Sequence, residues 1–334
     1  MPTATPTITP SPLPTNTPIP TATPTPTSVL IKWVATGIAN SIAYSSNGIN
    51  WTVLGTSVFG SYGFGVAWNG NMWVAVGGDG VPNTLAYSYD GINWTGLGTS
   101  VFSSRGQGVA WNGNMWVAVG STYPSIDSIA YSYDGIHWTK AGGGVFYNGH
   151  GTNVAWNGNM WVAVGGGGGA NTNTLAYSSD GISWTGLGKS VFSSDGEGVA
   201  WNGSMWVAVG GYGANTIAYS SNGISWTGLG NSIFKYYGDS IAWNGNMWVA
   251  TGQGPNTIAY SYDGINWTGL GTSIFESSGW GVAWNGNMWV AVGNGSSNSI
   301  TYSYDGIHWT GLGNSIFAGY GVASRPAPNL YPPR

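Results

Sequence analysis

The chain has 334 residues, 7 of them Lys or Arg and 11 Asp or Glu, with a net charge of −4, so it offers no basic stripe for phosphates and nucleic acid is not an expected partner. Cysteine is absent, which excludes disulfides and thiolate metal sites. No run approaches the ~18 apolar residues of a membrane-spanning helix, so membrane insertion is not expected either.

Residues 1–28 are almost entirely Pro and Thr after Met1. Such a segment cannot build a core and is predicted as an extended linker or stalk, reaching on the order of 80 Å at about 3 Å per residue. No basic stretch followed by an apolar one comes after Met1, so no secretory signal is visible. The composition then changes sharply. With 58 Gly, 21 Trp and 19 Tyr, the remainder is too aromatic and too patterned for disorder, and long enough to bury a large core.

From residue 29 to residue 325 the chain reads as seven copies of one unit, whose most constant tryptophan falls at Trp51, Trp94, Trp138, Trp184, Trp226, Trp267 and Trp309. The spacing of 41–46 residues is that of one four-stranded propeller blade. In the second unit, residues 65–68, 72–76, 84–88 and 92–95 are short β-branched, aromatic and small-residue runs bounded by turn formers, and predict four strands. Asn69-Gly70 between the first two predicts a two-residue hairpin, because both positions tolerate positive φ. Between the third and fourth, Asp90 is placed to accept backbone N–H groups and Gly91 to adopt the left-handed region. The chain enters at residues 31–37, which match a second strand, and its last repeat segment, residues 321–324, matches a first strand. One C-terminal strand and three N-terminal strands are therefore expected to complete a unit together, removing the open edge of a linear array. The predicted fold is all-β: a seven-bladed β-propeller closed by that strand, with a Pro-rich tail at 326–334.

The pattern Ser-x-Asp-Gly-x-x-Trp stands complete in five units, with Asp90, Asp134, Asp180, Asp263 and Asp305, while Asn47 and Asn222 take the acidic place in the others. It resembles the Asp-box repeat of sialidase-like β-propellers, although the residue that family usually places between Asp and Gly is missing. The near-identical tandem units are also similar to repetitive propeller proteins of giant viruses. The resemblance implies the propeller fold, and in that family the box is architectural, so the five aspartates are expected to be structural and not catalytic.

If consecutive strands are antiparallel, the copies differ mainly at one rim, in the connections from fourth to first and from second to third strands. Loops on a rigid scaffold concentrate binding, and this rim is the expected site of contact with a glycan or a protein. Trp280, unlike the repeated tryptophans, has no counterpart in the other units, and is the first candidate ligand contact. The further candidates are Arg105, Gln107, His150, Asp195, Glu197, Lys235, Tyr236, Tyr237, Asp239 and Glu276, with Tyr62, Phe64, Tyr147 and Tyr320 behind them. A sialidase needs an arginine cluster, and Arg105 is alone inside the repeats. A glycosidase needs a carboxylate pair, for which Asp195, Glu197, Asp239 and Glu276 are the only possible members. No enzymatic activity, metal or cofactor is expected; His137, His150 and His308 are isolated in sequence. The sequence thus predicts a monomeric recognition or display module on a cell or virion surface, tethered by its N-terminal stalk, with a purely structural role as the alternative.

Overall fold

The computed structural model describes residues 30–39, 42–79, 82–122, 127–147, 149–167, 172–316 and 318–325. The stalk expected over 1–28 and the tail over 326–334 lie outside the described residues. All regular structure among the described residues is β, in 28 strands numbered β1–β28 in chain order.

The strands fall into repeated four-stranded antiparallel units. In the second unit β4 (Tyr62–Trp68), β5 (Trp73–Gly78), β6 (Leu85–Ser88) and β7 (Thr95–Gly96) pair in succession, with Trp68 opposite Trp73, Val74 opposite Tyr87 and Ala86 opposite Gly96. The split unit is also present: β28 (Gly319–Ser324) pairs with β1 (Trp33–Gly37), Trp33 opposite Ser324 and Ala35 opposite Val322, and β1 continues into β2 (Ile42–Ser45) and β3 (Thr52–Gly55). The architecture is consistent with a β-propeller.

Each second strand reads as an unbroken apolar run because both of its faces are covered. In β5, Trp73 and Ala75 pack with Ile31 and Val34 of the preceding unit, while Val74 and Val76 pack with Trp116 and Ala118 of the following one. The strand period of two thus sends alternate side chains to opposite neighbours. Trp33, Trp73, Trp116, Trp161, Trp206, Trp248 and Trp289, one per unit, are wholly buried at these junctions.

First strands touch one another in succession: β4 touches β8 (Arg105–Trp111), which touches β12 (His150–Trp156), then β16 (Asp195–Trp201), β20 (Tyr237–Trp243), β24 (Ser278–Trp284) and β28, which touches β4. These strands can approach because small residues face each other. A Cβ built on Gly321 would lie 2.5 Å from the Phe64 carbonyl oxygen, and one on Gly108 would lie 2.6 Å from that of Thr152. No side chain fits there.

Two turns were read correctly in place but not in form. Since Trp68 pairs with Trp73, the first connection is a four-residue loop, not the expected two-residue hairpin. Only Gly70 has a positive φ (+102°), and Asn69 instead accepts the N–H groups of Asn71 and Met72 through Oδ1, at 2.9 and 2.7 Å. The side chain builds the turn, so a primed backbone turn is not needed. Likewise the fourth strand is only Thr95–Gly96 and begins after Trp94, where residues 92–95 were expected. Residues 92 and 93 are committed to the preceding turn: Asp90 Oδ1 accepts both their N–H groups at 2.8 and 2.7 Å, and Trp94 Nε1 donates to the Gly91 carbonyl at 3.1 Å. Asn47 and Asn222 accept the corresponding pairs of N–H groups at 2.8–3.0 Å. One amide oxygen therefore suffices for the motif.

Candidate functional site

A β-bulge interrupts every first strand at the same place. The register shifts between Gly63 and Gly65, Gly106 and Gly108, Gly151 and Asn153, Gly196 and Gly198, Gly238 and Ser240, and Gly279 and Gly281, and the β28–β1 ladder slips between Gly319 and Gly321. One residue per unit is thereby left unpaired and re-aimed. These residues are Phe64, Gln107, Thr152, Glu197, Asp239, Trp280 and Tyr320, and all of them line a single cavity of about 480 Å³. Below them Val66, Val109, Ile241, Val282 and Val322 supply an apolar lining.

The wall is divided by chemistry. Trp280 stacks on Tyr320 at 4.5 Å between ring centroids and 20° between planes, and Tyr320 meets Phe64 at 5.2 Å. Three successive first strands thus form an aromatic arc. Gln107, Thr152, Glu197 and Asp239 form the polar remainder. Thr152 is occupied, donating through Oγ1 to the Gly196 carbonyl. Gln107 Oε1 is buried and has no hydrogen-bond partner. Gln253, the last residue of β21 (Trp248–Gln253), donates its amide to Asp239 at 3.2 and 3.3 Å. Arg105 also lines the cavity; it is paired with Asp79 at 2.8 Å, and its guanidinium carbon lies 5.8 Å from the Phe64 ring.

The two acidic residues sit in adjacent units and share a weakly solvated environment. Burial pushes the Asp239 carboxyl up to about 8 against the opposing bond from Gln253. Glu197 is raised well above its ordinary value, first by burial and then by the charges of Asp239 and Asp195. Both directions follow from desolvation and like-charge repulsion. Burial, together with Asp195 and Glu197, also raises the Tyr237 hydroxyl, so this group is neutral and a donor.

Of the residues expected to bind, the structure brings Trp280, Arg105, Gln107, Glu197, Tyr237 and Asp239 together in this cavity. They were read as loop residues; they lie on first strands, because each of these strands begins three residues earlier than the periodicity indicated. Lys235, Tyr236 and Glu276 lie elsewhere, on a shallow groove shared with Gln253 and Pro255, and Glu276 accepts the Ser297 N–H at 3.4 Å. Asp195 and His150 line neither space. They are neighbours, with His150 Nε2 4.0 Å from Asp195 Oδ1, and burial holds His150 below its ordinary value against the pull of Asp195. Of the second group, Phe64 and Tyr320 reach the cavity, Tyr62 stacks on Phe64 at 5.7 Å, and Tyr147 is exposed.

Thr152, Asn153 and Gln253 were missed. For the first two the sequence signal was available: the bulge residue is always the middle of a Gly-x-Gly triplet or its variants Gly151-Thr-Asn and Gly238-Asp-Ser. The opposite rim, read as constant, also varies, carrying exposed Tyr89, Tyr133, Tyr262 and Tyr304 where other units have Ser46, Ser179 and Ser221.

Comparison with protein-family models finds no match, and comparison with curated proteins finds none. Among solved structures, the chain is similar to a putative 6-phosphogluconolactonase from Bacteroides fragilis, with 12% identity and a TM-score of 0.58 over 91% of this chain and 100% of that one. It is similar also to a GH74 enzyme of Niastella koreensis, at 15% identity and a TM-score of 0.54, covering 85% of this chain but only 47% of the enzyme. The computationally designed Ika8 protein gives 13% identity and a TM-score of 0.51 over 88% and 93% of the two chains. At such identities the likeness is one of fold alone.

Proposed function

We propose that this chain is a non-enzymatic recognition module, a closed seven-bladed propeller of Asp-box type that takes a glycan residue into its axial cavity. The observation that carries the reading is the convergence of one bulge residue from each unit, aromatic on one side and hydrogen-bonding on the other, on a single cavity of about 480 Å³. Its volume lies within the ~300–1,000 Å³ of small-ligand sites. A sugar ring presents an apolar face and a polar edge, which match the stacked Trp280 and Tyr320 and the polar arc. The succession of first-strand contacts, which leads from β4 through β24 and β28 back to β4, supports closure. Glu197 and Asp239 stand on adjacent strands on one side of the cavity, whereas a hydrolytic pair flanks the scissile bond, and this supports binding over catalysis. The Pro/Thr segment would carry the monomeric propeller as a stalk on a cell or particle surface.

The test is a glycan array with the intact protein, Trp280→Ala and Lys235→Ala. The expected result is saccharide binding that falls about tenfold or more in Trp280→Ala, a loss of about 1.4 kcal/mol, and is unchanged in Lys235→Ala. Loss in Lys235→Ala alone would move the site to the outer groove, and no saccharide binding at all would remove the glycan reading.

A further inference from the structure

The polar side of the cavity has a surplus of hydrogen-bond acceptors. Asp239 receives the Gln253 amide, Glu197 faces the charges of Asp239 and Asp195, and Gln107 Oε1 is buried without a partner. Among the described residues no Lys or Arg pairs with Glu197 or Asp239. Arg105 is engaged by Asp79 and stands against the aromatic arc. Half-buried carboxylates that face one another gain from a charged or donating partner, and within the protein this one is largely missing. A hydroxyl can donate one hydrogen bond and carries no charge. An ammonium donates three and carries the charge that two neighbouring carboxylates lack.

We propose that the cavity selects an amino sugar with a free, protonated primary amine, its ring face against Trp280 and Tyr320 and its ammonium received by Glu197, Asp239 and Gln107. This inference rests on the glycan reading above and adds the charge of the ligand to it. The aromatic arc suits the same ligand, since rings beside a cation attract it through their faces. N-acetylation of the sugar removes both the charge and two of the three donors.

The binding is linked to protons. In the free cavity, burial pushes the Asp239 carboxyl up to about 8, and burial followed by the charges of Asp239 and Asp195 raises Glu197 well above its ordinary value. The groups that face them are Asp195, the neutral Tyr237 and Gln253, with Arg105 and Tyr320 further round the wall; His150 lies outside the cavity beside Asp195. An incoming ammonium favours the ionised carboxylates, so protons leave as it binds. Affinity therefore rises from about pH 5 to about pH 6.5, below the range in which the ligand amine loses its own proton.

Titration calorimetry of the full chain with a glucosamine tetrasaccharide, its fully N-acetylated counterpart and a glucose tetrasaccharide, at about pH 5 and about pH 6.5, where the amines carry their protons, tests this. The glucosamine oligomer is expected to bind at least tenfold more tightly than the other two at the higher pH, with proton release visible as a dependence on buffer ionisation enthalpy. In the double variant Glu197→Gln, Asp239→Asn the preference should vanish while weak binding of all three remains. A thermal melt at pH 8 no lower than that of the parent shows that the variant is folded. Equal binding of the three saccharides by the parent protein overturns the amine selectivity and leaves the glycan site standing. Binding of none of them overturns both, and a plain diamine such as cadaverine that binds in their place would show a cation site that is not a sugar site. Selectivity that survives the double variant also overturns the assignment to Glu197 and Asp239.

Discussion

Asp263 accepts the backbone N–H of Asn266, the side-chain amide of the same residue and the backbone N–H of Ile265, which together hold its carboxyl well below the usual range. Asp180 is lowered in the same way, first by the N–H of Ser183. Asp239 moves in the opposite direction, up to about 8. A lowered folded value contributes stability above the unfolded value of about 4 that is lost as pH falls below it. A raised one costs stability as pH climbs from about 4 towards the folded value, because there the native state holds more protons than the unfolded chain. The melting temperature should therefore peak near pH 4–5 and decline on both sides, and Asp239→Asn should flatten the alkaline limb alone; calorimetric melts from pH 2 to 9 check both. Gly321 gives a second prediction. Its Cβ position overlaps the Phe64 carbonyl at 2.5 Å, so Gly321→Ala should destabilise by about 1–3 kcal/mol in urea unfolding. Of the cavity wall, Trp280 was legible in the sequence because it broke the pattern of the repeat, whereas Thr152 stands in Gly151-Thr-Asn, a variant of the Gly-x-Gly triplet in which nothing about the threonine itself departs from the surrounding residues. What the triplet does to its middle residue is a register shift, which becomes evident only once two strands are paired.

The Asn-Gly-Asn-Met loops and the Ser-x-Asp-Gly turns were identifiable in position from residue type alone, since Asn, Asp and Gly each serve a turn for a local reason. Their form was not, because the choice between a primed backbone turn and a side-chain-built loop depends on which residues of the flanking strands pair. The loop between β4 and β5 supplies a direct test. Asn69 Oδ1 accepts two N–H groups, while Asn71 contributes its backbone N–H to that arrangement. Asn69→Ala should cost about 1 kcal/mol in chemical unfolding and Asn71→Ala less than about half of that. The short fourth strands show the same competition. Residues that satisfy the turn before them are not free to extend the ladder, so β-propensity at Ile92 and Trp94 was overridden by the hydrogen bonds of Asp90 and Gly91.

At the scale of the molecule, the pairing of β28 with β1 was legible because the first unit lacked a strand that the end of the repeat supplied. Deleting residues 318–334 removes β28, and with it Tyr320 and Val322 from the cavity wall. The expected outcome is loss of a single cooperative unfolding transition, since the missing contacts amount to a large part of the ~5–15 kcal/mol that holds a domain together; a truncated chain that melts like the parent would show that β28 is dispensable. The bulges carry a different consequence. Because every unit repeats the same framework and lends the interior one side chain, the contents of the cavity can be written as a word, Phe-Gln-Thr-Glu-Asp-Trp-Tyr, with one letter per unit. The framework leaves each letter free to be respelled. Change at a single codon is then enough to alter the chemistry of the cavity, and under the function proposed above specificity could diverge while every junction that makes the chain fold stays unchanged.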